Sequence, residues 1–112
     1  ADLLFDVRFL PNPHFDPALR PLSGLDEPVR EFLRQRTDFQ ELLGRLADLL
    51  RFLLPRYQQE NRSYLTVGIG CTGGQHRSVA LVEALAAELA SRLDAANWTV
   101  RVKHRDLERL RP

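Results

Sequence analysis

The sequence predicts a small α/β domain: a three-layer sandwich around a mainly parallel sheet, with elements in the order β-α-α-β-α-β. Three observations carry this reading. Residues 3–9 (LLFDVRF), 64–69 (YLTVGI) and 98–102 (WTVRV) are short runs rich in apolar and β-branched residues, the pattern of strands. Helical periodicity occupies the intervals between them. Each consecutive strand pair is therefore separated by helix, which calls for parallel pairing through right-handed crossovers. At 112 residues the chain is one domain, 1–112, large enough for a single core without staples.

The first strand, residues 3–9, runs into a loop. Residues 10–24 hold Pro11, Pro13, Pro17 and Pro21 with Asn12, Asp16 and Gly24, too much proline for a helix or a central strand. Asp26 then caps a helix, with Pro28 at an early position where its missing N–H costs little, and that helix runs to about Gln35. Thr37 or Asp38 starts the next. Its apolar face is Phe39, Leu42, Leu43, Leu46, Leu49, Leu50, Leu53 and Tyr57, a core stripe too short for a zipper. Pro55 is expected to kink or end it. Residues 61–63 link to the second strand. The third helix, roughly 76–93, sets Val79, Val82, Leu85, Ala86, Leu89 and Leu93 on one face. The strand at 98–102 follows residues 94–97, and a short tail ends the chain.

Composition narrows the class. Hydrophobic residues at 44% and charged residues at 28% are those of a soluble globular domain. No apolar stretch approaches a membrane span, and no signal-peptide pattern opens the chain. A single cysteine excludes an internal disulfide and points to a reducing cytoplasm. The chain has no methionine and opens directly on a strand pattern, as expected of a piece of a longer protein. The net charge of +1 names no partner. After residue 100, however, Arg101, Lys103, Arg105, Arg109 and Arg111 face only Asp106 and Glu108. Such a basic end can neutralise nucleic-acid phosphates, or it can be a solvated terminus with internal ion pairs.

The chemistry concentrates in residues 70–78 (GCTGGQHRS), where the second strand breaks into the third helix through a Gly-rich loop. The first N–H groups of a helix lack intrahelical partners, and the helix dipole favours an anion there. Gly73 and Gly74 let the backbone turn its N–H groups inward. Arg77 adds a forked cationic donor suited to phosphate. The loop reads as a phosphate cradle, with Cys71, Thr72, Gly73, Gly74, His76, Arg77 and Ser78 as its lining. The spacing Cys-x5-Arg-Ser is also that of cysteine-dependent phosphatases, so Cys71 is either a nucleophile stabilised as thiolate or a buried structural thiol. A phosphatase would further need a general acid, for which Asp16 is the candidate. Asp6 either accepts from a ligand hydroxyl or amine, or braces the sheet through Arg8 or Arg77. His14 starts from the same sheet edge as the cradle. His76 either donates to a phosphate or caps nearby carbonyls. No metal-ligand spacing occurs, nor GxGxxG or GxxxxGK[ST], so neither a metal nor a cofactor is expected and a nucleotide triphosphatase is disfavoured.

Several longer strings carry a family resemblance. Phe5-Asp6-Val7-Arg8-Phe9-Leu10-Pro11-Asn12-Pro13-His14, Arg20-Pro21, Gly24-Leu25-Asp26, Asn61-Arg62-Ser63-Tyr64-Leu65-Thr66-Val67, Gly70-Cys71-Thr72-Gly73-Gly74 and His76-Arg77-Ser78-Val79 resemble the C-terminal domain of the RNase adapter protein RapZ family. His104-Arg105-Asp106-Leu107-Glu108-Arg109 resembles that family's terminus. The resemblance implies a missing N-terminal nucleotide-binding domain, and a domain that senses glucosamine-6-phosphate without being an enzyme. It implies binding of small regulatory RNA and its presentation to an endoribonuclease, in an oligomer. The sugar-phosphate pocket would take Asp6 and His14 from the first motif and Cys71, Thr72, Gly73, His76 and Arg77 from the second. RNA contacts would fall to Lys103, Arg105, Arg109 and Arg111, in a tail that has arginines where known RNA-binding members are lysine-rich. Two other readings stay open: the phosphatase, and a structural module that docks the nucleotide domain and drives oligomerisation.

Overall fold

The computed structural model describes residues 2–60, 65–70 and 76–92. Strand β1 (Leu3–Asp6) pairs in parallel with β2 (Val67–Gly70), in the register Leu3↔Val67 to Asp6↔Gly70. Between them come α1 (Glu27–Arg34) and α2 (Thr37–Gln59), and α3 (Arg77–Arg92) follows β2. The domain is α/β, and these elements reproduce the expected order as far as the third helix. The strand expected at 98–102, the link at 61–63 and Leu93 lie outside the described residues.

The parallel register sets the sheet's faces. Leu3, Phe5, Val67 and Ile69 share one face and pack against the core, whereas Leu4, 76% exposed, lies on the other with Asp6. The core itself is helical. Val29 and Leu33 of α1, Leu46, Leu50 and Leu54 of α2, and Leu81, Leu85 and Leu89 of α3 are buried together with Val7 and Leu10. On α2 the buried positions are Phe39, Leu46, Ala47, Leu50 and Leu54, so the stripe is rotated from the expected one: Leu54 is inside and Leu49 is exposed. The start of α3 is buried continuously, from His76 to Leu81.

Three boundaries differ from expectation for local reasons. β1 ends at Asp6, short of Phe9, because the Asp6 carboxylate captures the Arg8 N–H at 3.0 Å and Leu10 N–H turns back to Val7 O at 3.1 Å. α2 is not ended by Pro55 but runs four residues further; Leu54 is buried and Pro55 itself is exposed, so tertiary packing outweighs the lost backbone bond. Asp26 occupies the cap position of α1, yet its carboxylate accepts from Ser23 N–H at 2.8 Å and makes no cap bond to the helix. Pro28 does fall in the first turn of α1, as expected.

Candidate functional site

The site is built where both strands end. Asp6 and Gly70 are paired terminal residues of parallel strands, so the segments that leave them start side by side. One is the proline-rich stretch at 10–24, and the other, through 71–75, reaches the start of α3. Residues Cys71, Thr72, Gly73 and Gly74 lie outside the described residues, as do Lys103, Arg105, Arg109 and Arg111. The remaining expected site residues, Asp6, His14, His76, Arg77 and Ser78, come together around this junction.

Arg77 is the centre of it. The residue is 4% exposed, and its Nη1 donates to Arg8 O at 2.5 Å and Leu10 O at 3.2 Å. Among the described residues no carboxylate is within ion-pair distance of its guanidinium. A buried cation whose described hydrogen bonds go to carbonyls, with Asp6 acting on it only at longer range, favours an anion nearby. The N-terminal end of α3, where the helix bonds begin with Ala80 N–H to His76 O at 3.0 Å, carries the same sign of potential through the helix dipole.

His76, 5% exposed, precedes the helix, and its Nε2 bonds Leu19 O at 3.0 Å. A carbonyl only accepts, so Nε2 carries the proton in this contact. His14 sits exposed in a short 3-10 turn (Pro13–Phe15), and its ring centroid lies 6.5 Å from that of His76. The turn is held by His14 N–H to Asn12 Oδ1 at 3.0 Å and by Arg20 Nε to His14 O at 2.8 Å. Ser78 is buried in the first helical turn. Asp6 is engaged by Arg8 through two Nε contacts at 2.8 and 3.0 Å and an ion pair at 2.6 Å. The Arg8 hydrogen bonds, and more weakly the charge of Arg77, hold the Asp6 carboxyl below its ordinary value, while Asp6 in turn raises Arg8. The carboxylate is still 55% exposed, and it has more lone pairs than Arg8 uses.

Two residues were missed as supports. A Cβ on Gly24 would lie 2.5 Å from His76 O, 2.8 Å from Val79 Cβ and closer still to Ala80 N, so only glycine lets this segment lie flush on α3. Arg30 Nε donates to Gly24 O at 3.1 Å, and its Nη2 lies 4.0 Å from Glu83, tying α1 to both partners. No local pattern announces either contact. A shallow cleft lined by Arg30, Arg34, Phe39, Ala80 and Glu83 opens between α1 and α3, with charges of both signs and without the strand-end geometry.

Fold and junction together define a small α/β domain that sets buried basic groups at a strand–loop–helix turn. Residues 1–108 match the family described as the RapZ C-terminal domain, and the chain belongs to that family. Relatives named nucleotide-binding protein are 55% identical over 108 residues in Rubrobacter xylanophilus and 55% over 109 in Geobacter metallireducens. One from Anaeromyxobacter sp. (strain K) is 57% identical over 109 residues. These alignments cover 96–97% of this chain but only 35–37% of the relatives, so the chain spans about a third of their length. Among the described residues no helix is long and apolar enough to cross a membrane.

Proposed function

We propose that this domain is the C-terminal sensing unit of a longer cytoplasmic, oligomeric regulatory adapter, and that it binds a phosphorylated amino sugar, glucosamine-6-phosphate. The observation that carries the reading is Arg77: a buried guanidinium at a helix N-terminus, gripped by two carbonyls, with no described carboxylate within ion-pair distance. The phosphate would sit between Arg77, His76, Ser78 and the backbone of 71–75, including Cys71, Thr72, Gly73 and Gly74. Asp6, at the adjacent strand end, would accept from the sugar's ammonium or hydroxyls, and His14 would close the pocket from its turn. Membership of the RapZ C-terminal domain family supports a regulatory role. In the same reading Lys103, Arg105, Arg109 and Arg111 bind small RNA, which the adapter presents to an endoribonuclease.

Calorimetry with glucosamine-6-phosphate, glucose-6-phosphate and inorganic phosphate tests the site. Saturable binding that prefers the amino sugar is expected. Arg77→Ala should weaken it by roughly 2–5 kcal/mol, the range for losing one member of a buried charged contact. Unchanged affinity in that variant refutes the assignment of Arg77. Turnover of an aryl phosphate that disappears in Cys71→Ser would instead establish the phosphatase.

A further inference from the structure

Residues 8–24 are bound at four places to α3 and to His76 just before it. Arg77 Nη1 takes the carbonyls of Arg8 and Leu10, and His76 Nε2 takes that of Leu19. Gly24 lies flush on His76, Val79 and Ala80. Between these contacts Leu10, Pro13 and Leu19 are buried, whereas Phe9 and Phe15 point outward at 63% and 78% exposure. The segment is thus a strap whose polar fastenings are side chains of the proposed anion site.

We infer that ligand occupancy and closure of this strap are linked through Arg77, so that binding the phosphosugar tightens residues 8–24 onto α3. The inference rests on the functional reading above. Guanidinium is a rigid plane with five N–H groups. Nη1 is committed to the strap carbonyls, and the three N–H groups on Nε and Nη2 belong to the same plane. An anion that takes any of those three fixes the plane and thereby holds Nη1 on Arg8 O and Leu10 O. The converse holds by linkage: a closed strap presents Arg77 to the anion already oriented, and each event strengthens the other by the same factor. Asp6, at the end of β1, pairs with the side chain of Arg8, the first residue of the strap, which leaves Arg77 to serve strap and ligand. The output is the surface that carries Phe9, His14 and Phe15, whose order then reports the ligand.

Hydrogen exchange of the protein with and without saturating glucosamine-6-phosphate tests this, with calorimetry on the same samples. The strap has its own bonded amides at Leu10, Phe15, Asp16, Leu19, Arg20 and Leu22. These should exchange about tenfold more slowly with ligand, within the usual range of site-to-site coupling. Arg77→Lys keeps the charge but loses the fork. Its strap amides should exchange faster than wild type without ligand, with those around Leu50 in α2 unchanged, and ligand should no longer slow them. The wild-type comparison requires no variant to fold. Binding without slower exchange of the strap overturns the inference and leaves the sensor reading standing. Absence of binding by calorimetry overturns the sensor reading, and the coupling with it.

Discussion

Replacing Gly24 with alanine tests whether the proline-rich segment truly rests on α3. The added Cβ would meet His76 O at 2.5 Å, Val79 Cβ at 2.8 Å and Ala80 N more closely. Ordinary contacts begin near 3.4 Å, so the segment or the helix must move by about an ångström. Two of the three obstacles are backbone of a buried helical turn, which cannot rotate away. Overpacking in a core costs about 1–3 kcal/mol, and such a backbone clash belongs at the top of that range. Retreat of the segment also loosens the bond from Arg30 to Gly24 O. A loss of about 3 kcal/mol lowers the melting temperature of a domain this size by roughly 10–15 °C. Gly44→Ala is the matched control: nothing lies within 4 Å of its added Cβ, and it sits inside α2, so it should stabilise by about 0.5–1 kcal/mol. Thermal and urea denaturation of both variants measure the contrast. A Gly24→Ala protein within 0.5 kcal/mol of wild type refutes the argument that the segment is seated against α3.

Three further outcomes are expected. Pro55→Ala restores a backbone N–H inside α2 at an exposed position, and urea denaturation should show a gain of about 1–3 kcal/mol; a loss would mean that the proline relieves strain there. Asp6→Asn keeps an oxygen for the Arg8 N–H but removes the ion pair. Because the folded-state value of Asp6 is depressed, its contribution is present at neutral pH and is lost as pH falls through that value. The melting-temperature gap between wild type and variant should therefore close below about pH 4, and a gap that persists in acid counts against the pair. RNA binding, measured by filter retention across a salt series, should weaken steeply with salt and further when Arg105, Arg109 and Arg111 become alanine; salt-insensitive binding would exclude the tail as its source.

The elements themselves were legible because periodicity is a local property. The apolar runs at 3–5 and before Gly70 and the helical spacing of Val79, Leu85 and Leu89 each declare a type without reference to distant residues. Boundaries were less legible where one side chain settles them, as when Asp6 captures Arg8 N–H three residues before the expected end of β1. The α2 face was misjudged by one position in its last turns, since Leu49 and Leu54 are equally apolar and only the placement of α1 and α3 decides which is covered.

The candidate site divides the same way. Sequence alone determined the α/β class, the strand–loop–helix junction and the presence of a guanidinium at its end, because these follow from residue type and spacing along neighbouring positions. The tertiary structure decided what Arg77 grips and why Gly24 must be glycine. Arg77 bonds carbonyls 69 and 67 residues away, and Gly24 meets a helix that starts more than fifty positions later. Contacts of that range depend on how the parallel strands register, and no local pattern encodes them.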